Sequence, residues 1–263
     1  MSIFTPEVDI VVTSFNSMVF IEEALNSILY QKYKNWKIIF IDDASTDGTV
    51  ALIKAYIKKN RISKKCKLFI LSDNCGYGMS LKTGIERGEN SIVFIVDSDD
   101  AFATDEAITV MVKEHLLHPD VSLIYSNYYE CDVELKYTTP IICRPPRPGE
   151  TYLGKFSNDV YLGSHLKVSH LKSFKRESYN MTEGLNPNLM KAVDTDLILK
   201  LEEVGRLHHV NKTLYYHRKQ PRSISNSFRS KSDFEKQRIM SMKAEMYLAS
   251  RERRRRKNSE NIS

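Results

Sequence analysis

The chain has 263 residues, 41% apolar and 27% charged. These proportions exclude a disordered or fibrous chain, and apolar runs such as Ile92–Val96 fall far short of a membrane span. The net charge is +6, but Arg251, Arg253, Arg254, Arg255, Arg256 and Lys257 stand against Glu252 alone, so five of those six charges sit near the C-terminus. The remaining body is close to neutral, which argues against a nucleic-acid partner. The opening MSIFTPEVDI has no basic region followed by a long apolar stretch, so no secretory signal is expected. Cys66, Cys75, Cys131 and Cys143 form no CxxC pair, so reduced thiols in a cytoplasmic protein are expected.

Asp9–Thr13 is a β-branched run typical of a buried strand. Glu22–Leu29 follows with Ile21, Leu25, Ile28 and Leu29 on one helical face. Trp36–Ile41 is a second strand ending in Asp42-Asp43, and Val50–Lys59 a second helix. Lys67–Leu71 (strand), Asp73–Gly78 (turn), Met79–Arg87 (helix) and Ser91–Val96 (strand) continue the alternation, which ends in Asp97-Ser98-Asp99-Asp100. This rhythm is an α/β signature with a mainly parallel sheet. Ligands of such sheets bind beyond the carboxyl ends of the strands, so the tips after Thr13, Ile41 and Val96 are expected to share one crevice.

Thr104–Leu117 reads as a helix closed by His118-Pro119, and Ser122–Ser126 as a strand. Arg144–Gly149 is too rich in proline for a regular element. Lys191–Val204 has a helical pattern, and Leu214–His217 is a short strand candidate. Ser232 and Glu235 make a capping box for a last helix over about Asp233–Arg251, with Phe234, Ile239, Met242 and Met246 as its stripe.

Three acidic groups carry chemical interest. Asp97 and Asp99, one residue apart after an apolar strand, suit a hard divalent cation; the alternative is a solvated acidic turn. Asp42 and Asp43 suit a ligand's ring or ribose, or an Asx turn or helix cap. Asp194 and Asp196 are two residues apart on a helix and therefore cannot share a face, so separate tasks are expected of them. Neither GxGxxG nor GxxxxGK[ST] is present, which argues against a dinucleotide oxidoreductase or a P-loop kinase.

Taken in order, VVTSFN (Val11–Asn16), FIDDASTDGT (Phe40–Thr49), NCGYGMSLKTGI (Asn74–Ile85), VDSDD (Val96–Asp100) and AVDTDLILKLEEVG (Ala192–Gly205) resemble family-2 glycosyltransferases. The last segment, with HHVNKTLYYHR (His208–Arg218), is similar to the transferase domains of chondroitin-type polysaccharide polymerases. The resemblance implies an α/β GT-A fold, a central mainly parallel sheet flanked by helices. It assigns residues 1–226 to the transferase domain, with the nucleotide part at about 1–100 and the acceptor side at about 101–226, and leaves 227–263 as an amphipathic helix with a basic tail.

The resemblance further implies an inverting transfer from a nucleotide-sugar donor, a UDP-sugar, to a saccharide or lipid-linked saccharide acceptor in cell-surface polysaccharide synthesis. Thr13, Phe15 and Asp43 would hold the base, with Lys82, Asp97 and Ser98 also on the donor side. Asp97 and Asp99, with Asp100 beside them, would hold manganese or magnesium (Mn2+ or Mg2+), and Asp194 would be the general base. Val193 replaces the first acid of the family's usual Glu-Asp pair. Where some relatives place a metal-ligating histidine this chain has Gln220, and His217 lies three residues earlier; either one, or water, is left to complete the metal site. Arg144–Gly149 and Asn158–His170 are candidates to close over the donor.

The alternatives are a sugar-1-phosphate nucleotidyltransferase, disfavoured by the absence of a glycine- and lysine-rich loop near the N-terminus, and a non-catalytic nucleotide-sugar-binding or scaffold protein. The arginine tail is read either as a solvated terminus or as contact with an anionic membrane surface, peripheral at the inner face.

Overall fold

The computed structural model describes residues 5–145, 150–151, 154–157, 160–161, 168–220 and 233–260. Four parallel strands open the chain: β1 (Val8–Ser14), β2 (Trp36–Asp42), β3 (Cys66–Ile70) and β4 (Ile92–Asp97). The helices α1 (Ile21–Leu29), α2 (Thr49–Lys59) and α3 (Tyr77–Arg87) connect them. Every residue of β1 is buried, as expected of a strand covered on both faces. Side chains alternate across the sheet. Val8, Ile10, Val12, Ile38, Phe40, Phe94 and Val96 pack into one core layer, and Val11, Ile39, Ile41, Val93 and Ile95 into the other.

The first layer meets α1, whose buried Ile21, Ala24, Leu25 and Ile28 recur at helical spacing. The second meets α3. A Cβ at Gly84 of α3 would lie 2.4 Å from Val11 Cγ1 and 3.2 Å from Ile41 Cγ1, so the missing side chain is what lets this helix rest directly on β1 and β2.

The chain continues through β5 (Ala101–Phe102), α4 (Ala107–Leu117), β6 (Val121–Cys131), β7 (Tyr137–Ile141), a small antiparallel set β8 (Glu150–Thr151), β9 (Gly154–Ser157) and β10 (Val160–Tyr161), then β11 (Lys172–Lys175), α5 (Arg176–Asn180), α6 (Val193–Glu202), β12 (Arg206–Arg218) and α7 (Asp233–Glu260). The main sheet runs β3-β2-β1-β4-β11-β6-β12-β5, with β7 on β6. β11 is antiparallel to both neighbours, β4 and β6, while β12 is parallel to β6.

Three sequence expectations change here. The strand expected at Leu214–His217 is thirteen residues long; bulges between Val210 and Tyr215 break the alternation that would have revealed its first half. β11 was not anticipated, because Lys172 and Lys175 flank a two-residue core. The C-terminal basic run continues α7 rather than forming a separate tail. Arg254 holds Glu202 (2.6 Å), the last residue of α6, and Arg253 holds Glu203 (2.8 Å), its C-cap, and Met246 and Tyr247 pack on the core. The α7 contact explains why Leu197 to Leu201 of α6 are all buried. Ser232 of the capping box, residues 146–149, most of Asn158–His170 and the 226/227 boundary lie outside the described residues, and the Phe234 side chain does so too.

Candidate active site

β1 pairs with β4 in a register that sets Thr13 opposite Asp97, and with β2 so that Thr13 faces Ile41. The three strand tips anticipated from sequence therefore end side by side. Thr13 is buried at this edge and Phe15 is exposed beyond it.

The Asp97–Asp100 segment is a turn, closed by the Asp100 N–H donating to the Asp97 carbonyl at 3.1 Å. It leads straight into β5, which pairs antiparallel with β12 through Phe102–Tyr215 and Ala101–Tyr216. One step further along that register His217 meets Asp100, with Nδ1 3.2 Å from Asp100 Oδ2. The Arg218 N–H donates to Asp100 Oδ1 at 2.8 Å. Asp100, 1% exposed, is thus engaged on both oxygens. Gln220 donates to Asp99 Oδ2. Both residues between which the sequence left a choice, His217 and Gln220, reach the acidic turn, each on a different carboxylate.

His217 stacks on His170, with ring centroids 4.6 Å apart, and His170 stacks in turn on Tyr215 at 5.2 Å. Asp100, His170 and His217 bring one ligand atom each within 4.8 Å of one another. Burial holds His170 well below the usual imidazole range, with Lys172 and His217 adding to the effect. Burial also opposes charge on His217, but Asp100, followed by Asp97 and Asp99, outweighs it and raises that ring's pKa.

Asp97 has the least balanced surroundings. Its backbone N–H donates to Tyr215 Oη at 3.1 Å, yet its buried Oδ1 has no hydrogen-bond partner among the described residues. Burial, then the carboxylates of Asp100, Asp99 and Asp194, push its acid up to about 8; Lys172 opposes them. Burial and Asp100 push Asp99 up to about 6. Burial and the charges of Asp97 and Asp194 raise the Tyr77 hydroxyl well above its ordinary value. A half-buried acid with a buried, orphaned oxygen among like charges fits a divalent cation, which would balance them.

Asp194 stands in the first turn of α6, within the electrostatic reach of Asp97, and Lys172 of β11 holds its Oδ1 at 3.0 Å. Asp196 instead pairs with Lys200 at 3.1 Å and accepts the Asn186 N–H at 2.9 Å. The two acids have separate partners, as their spacing requires. On β2, Asp42 accepts from Ser45 N–H (2.9 Å) and from the hydroxyls of Ser45 and Ser14, while the Cys75 and Gly76 N–H groups donate to Asp43 Oδ1 (2.7 Å) and Oδ2 (2.8 Å). Asp43 thus holds the start of α3, and Asp47 rather than either of this pair meets the first N–H of α2. Ser98 Oγ lies 2.7 Å from Ser17 Oγ. Lys82 pairs with Glu86 on α3 and lies near Gly184.

Sequence reasoning did not single out Lys172, Tyr77 or Arg218. Arg218 is 2% exposed and supports the turn from below, donating to the Asp99 carbonyl at 2.6 Å and lying over Phe20 at 4.6 Å. A lysine directly after Leu171 and two residues before Phe174 was the available signal for Lys172.

The chain is 27% identical to chondroitin synthase of Escherichia coli over 215 residues, 80% of this chain but 28% of that protein. It thus spans under a third of that relative's length. Among solved structures it is similar to S. aureus TarS residues 1–349 in complex with UDP, at TM-score 0.63 and 21% identity, covering 82% of this chain and 61% of that one. It is also similar to the mannosyltransferase PcManGT of Pyrobaculum calidifontis in complex with GDP-Man and Mn2+, at TM-score 0.63 and 19% identity, covering 94% and 71%. These likenesses establish the GT-A fold. The family model described as glycosyl transferase family 2 matches residues 9–180, more than half of the chain, and the chain therefore belongs to glycosyl transferase family 2.

Proposed function

We propose that the protein is a metal-dependent inverting glycosyltransferase that moves a sugar from a UDP-sugar to a saccharide or lipid-linked acceptor in cell-surface polysaccharide synthesis. The observation that carries this reading is the orphaned carboxylate oxygen of Asp97 in an acidic turn facing Asp194. Family membership and the nucleotide-bound neighbours support a sugar nucleotide as donor.

In this reading Asp97 and Asp99 hold Mn2+ or Mg2+. His217 would add an imidazole: its Nδ1 is committed to Asp100, which leaves the second ring nitrogen as the atom it would offer, as where an outer carboxylate fixes a metal-binding histidine. The cation supplies charge stabilisation for the departing nucleoside diphosphate. Thr13, Phe15 and Ser98 border the base and ribose. Asp43 keeps α3 in place and offers the remaining lone pairs of its oxygens to the base; Lys82 lies further along α3. Asp194 takes the proton from the acceptor hydroxyl as that oxygen attacks the anomeric carbon. One displacement inverts the configuration, and no carboxylate nucleophile is required.

A thermal-shift panel of UDP-, GDP- and TDP-sugars with and without Mn2+ tests the donor. A Mn2+-dependent shift with one UDP-sugar is the expected result. No shift with any nucleotide, using folded protein, would favour the non-catalytic scaffold reading. Arg255, Arg256 and Lys257 remain on the outer face of α7, and we extend the proposal to contact between that face and an anionic membrane surface.

A further inference from the structure

α4 ends beside the start of β12, at the end of that strand opposite His217. His208 and His217 are nine positions apart, at most about 30 Å along a strand. Here Glu114 and His118, one helical turn apart, face His208 across the α4–β12 contact. Glu114 Oε2 lies 3.4 Å from His118 Nε2 and 3.2 Å from His208 Nε2, and the three ligand atoms are mutually within 4.8 Å. The two imidazole rings are 4.2 Å apart at 41°. All three side chains are half-buried, so the cluster borders solvent and an ion has an entry path.

A tetrahedral ion bound at about 2.0–2.2 Å separates its ligand atoms by roughly 3.3–3.6 Å. The two edges from Glu114 are already close to that length, and closure needs only a small shift of the imidazoles. The alternative is a plain hydrogen-bonded triad, one carboxylate oxygen serving both rings. The chemistry of the donors selects the ion: two imidazoles and one carboxylate suit zinc or its late first-row neighbours and not magnesium or calcium. Asp120, the nearby acid, is committed to Arg206 at 2.8 Å, which leaves the fourth position to water.

We propose that Glu114, His118 and His208 form a zinc site that clamps the C-terminal turn of α4 onto β12, separate from the acidic turn at the far end of the strand. It is independent of the transferase reading. The test uses Co2+ as a visible probe and Zn2+ by equilibrium dialysis on the full chain. A tetrahedral Co2+ absorption band is expected in the wild type and in Asp99→Asn, and its loss in the His118→Asn/His208→Asn double variant, together with one bound Zn2+. Glu114→Gln keeps the shape and hydrogen bonding of the side chain but removes its charge; it should weaken Zn2+ binding at least about tenfold, the lower end of what even outer-shell changes cost a metal site. Circular dichroism confirms that each variant is folded. Absence of the band in the wild type, its survival in the double variant, or unchanged Zn2+ affinity in Glu114→Gln would overturn the site and leave the hydrogen-bonded triad.

Discussion

Lys172 Nζ lies 3.0 Å from Asp194 Oδ1, and the lysine side chain is 3% exposed while the aspartate is 34% exposed. The cation is therefore fixed inside the sheet, on β11 between β4 and β6, and grips the carboxylate from its buried side. The aspartate keeps a solvent-facing side, the side from which the proposed acceptor would approach. Lys243 of α7 is a second cation whose field reaches Asp194.

Asp194→Asn should lower transfer by at least about 10²-fold, within the range lost with a general base, while Mn2+-dependent donor binding persists. Single-turnover assays beside donor titrations separate the two. Near-normal transfer would remove Asp194 from the base role.

Lys172→Met should lower kcat more than it alters KM for the donor, because its direct ion pair is with Asp194 and it reaches Asp97 only through its field. Lys172→Arg should restore part of kcat by keeping the cation. A lysine that merely supports packing would give equal loss in both variants.

Asp99→Asn should weaken Mn2+ and donor binding together, and EDTA should abolish the donor-dependent thermal shift until Mn2+ is restored. Calorimetric titration of Mn2+ into wild type and variant measures the first effect.

Stability of the metal-free protein should fall as pH rises from about 6.5 to 8. Asp97 has its folded pKa raised to about 8 from 3.8, so between those values the folded state holds a proton that the unfolded state has released, and stability declines with pH. The raised His217 acts in the same direction. His115, pushed down to about 3 by burial, and His170 act oppositely, but only below about pH 6.5. Bound Mn2+ should flatten the decline by replacing the protons. Melting temperatures at pH 6.5 and 8, with and without Mn2+, check both halves; a rise in the metal-free melting temperature over that interval would contradict the charge balance described for Asp97.

Gly84→Ala should destabilise the fold by about 1–3 kcal/mol, the usual cost of overpacking, because the new methyl meets Val11 at 2.4 Å. Arg253→Ala should cost about 1.5–3 kcal/mol, the scale of a hydrogen bond to a charged group, because Glu203 is 4% exposed and Arg253 is its partner. Urea midpoints measure both. No change in Arg253→Ala would return the C-terminal run to the solvated-tail reading.

The first hundred residues are legible in the sequence because their order is local. β-branched runs buried on both faces, helices with one apolar stripe and acids at strand ends each follow from residues a few positions apart. That local pattern determined the parallel half of the sheet and the shared end of its strands, and a two-residue spacing later in the chain determined the separate partners of Asp194 and Asp196. Residues far apart in sequence were decided only by pairing between strands. The antiparallel register of β5 on β12 brings His217 to Asp100 across 117 positions, and insertion of β11 between β4 and β6 brings Lys172 to Asp194. Neither register leaves a periodic trace, since β5 has two residues, β11 has four and β12 is bulged. The arginines near the C-terminus make the same point. Composition showed a basic run, but whether its charges face water or Glu202 and Glu203 depended on where α7 lies against α6. Local sequence specifies which elements form and which faces they bury; the electrostatics of the site depend on distances that exist only after those elements pack.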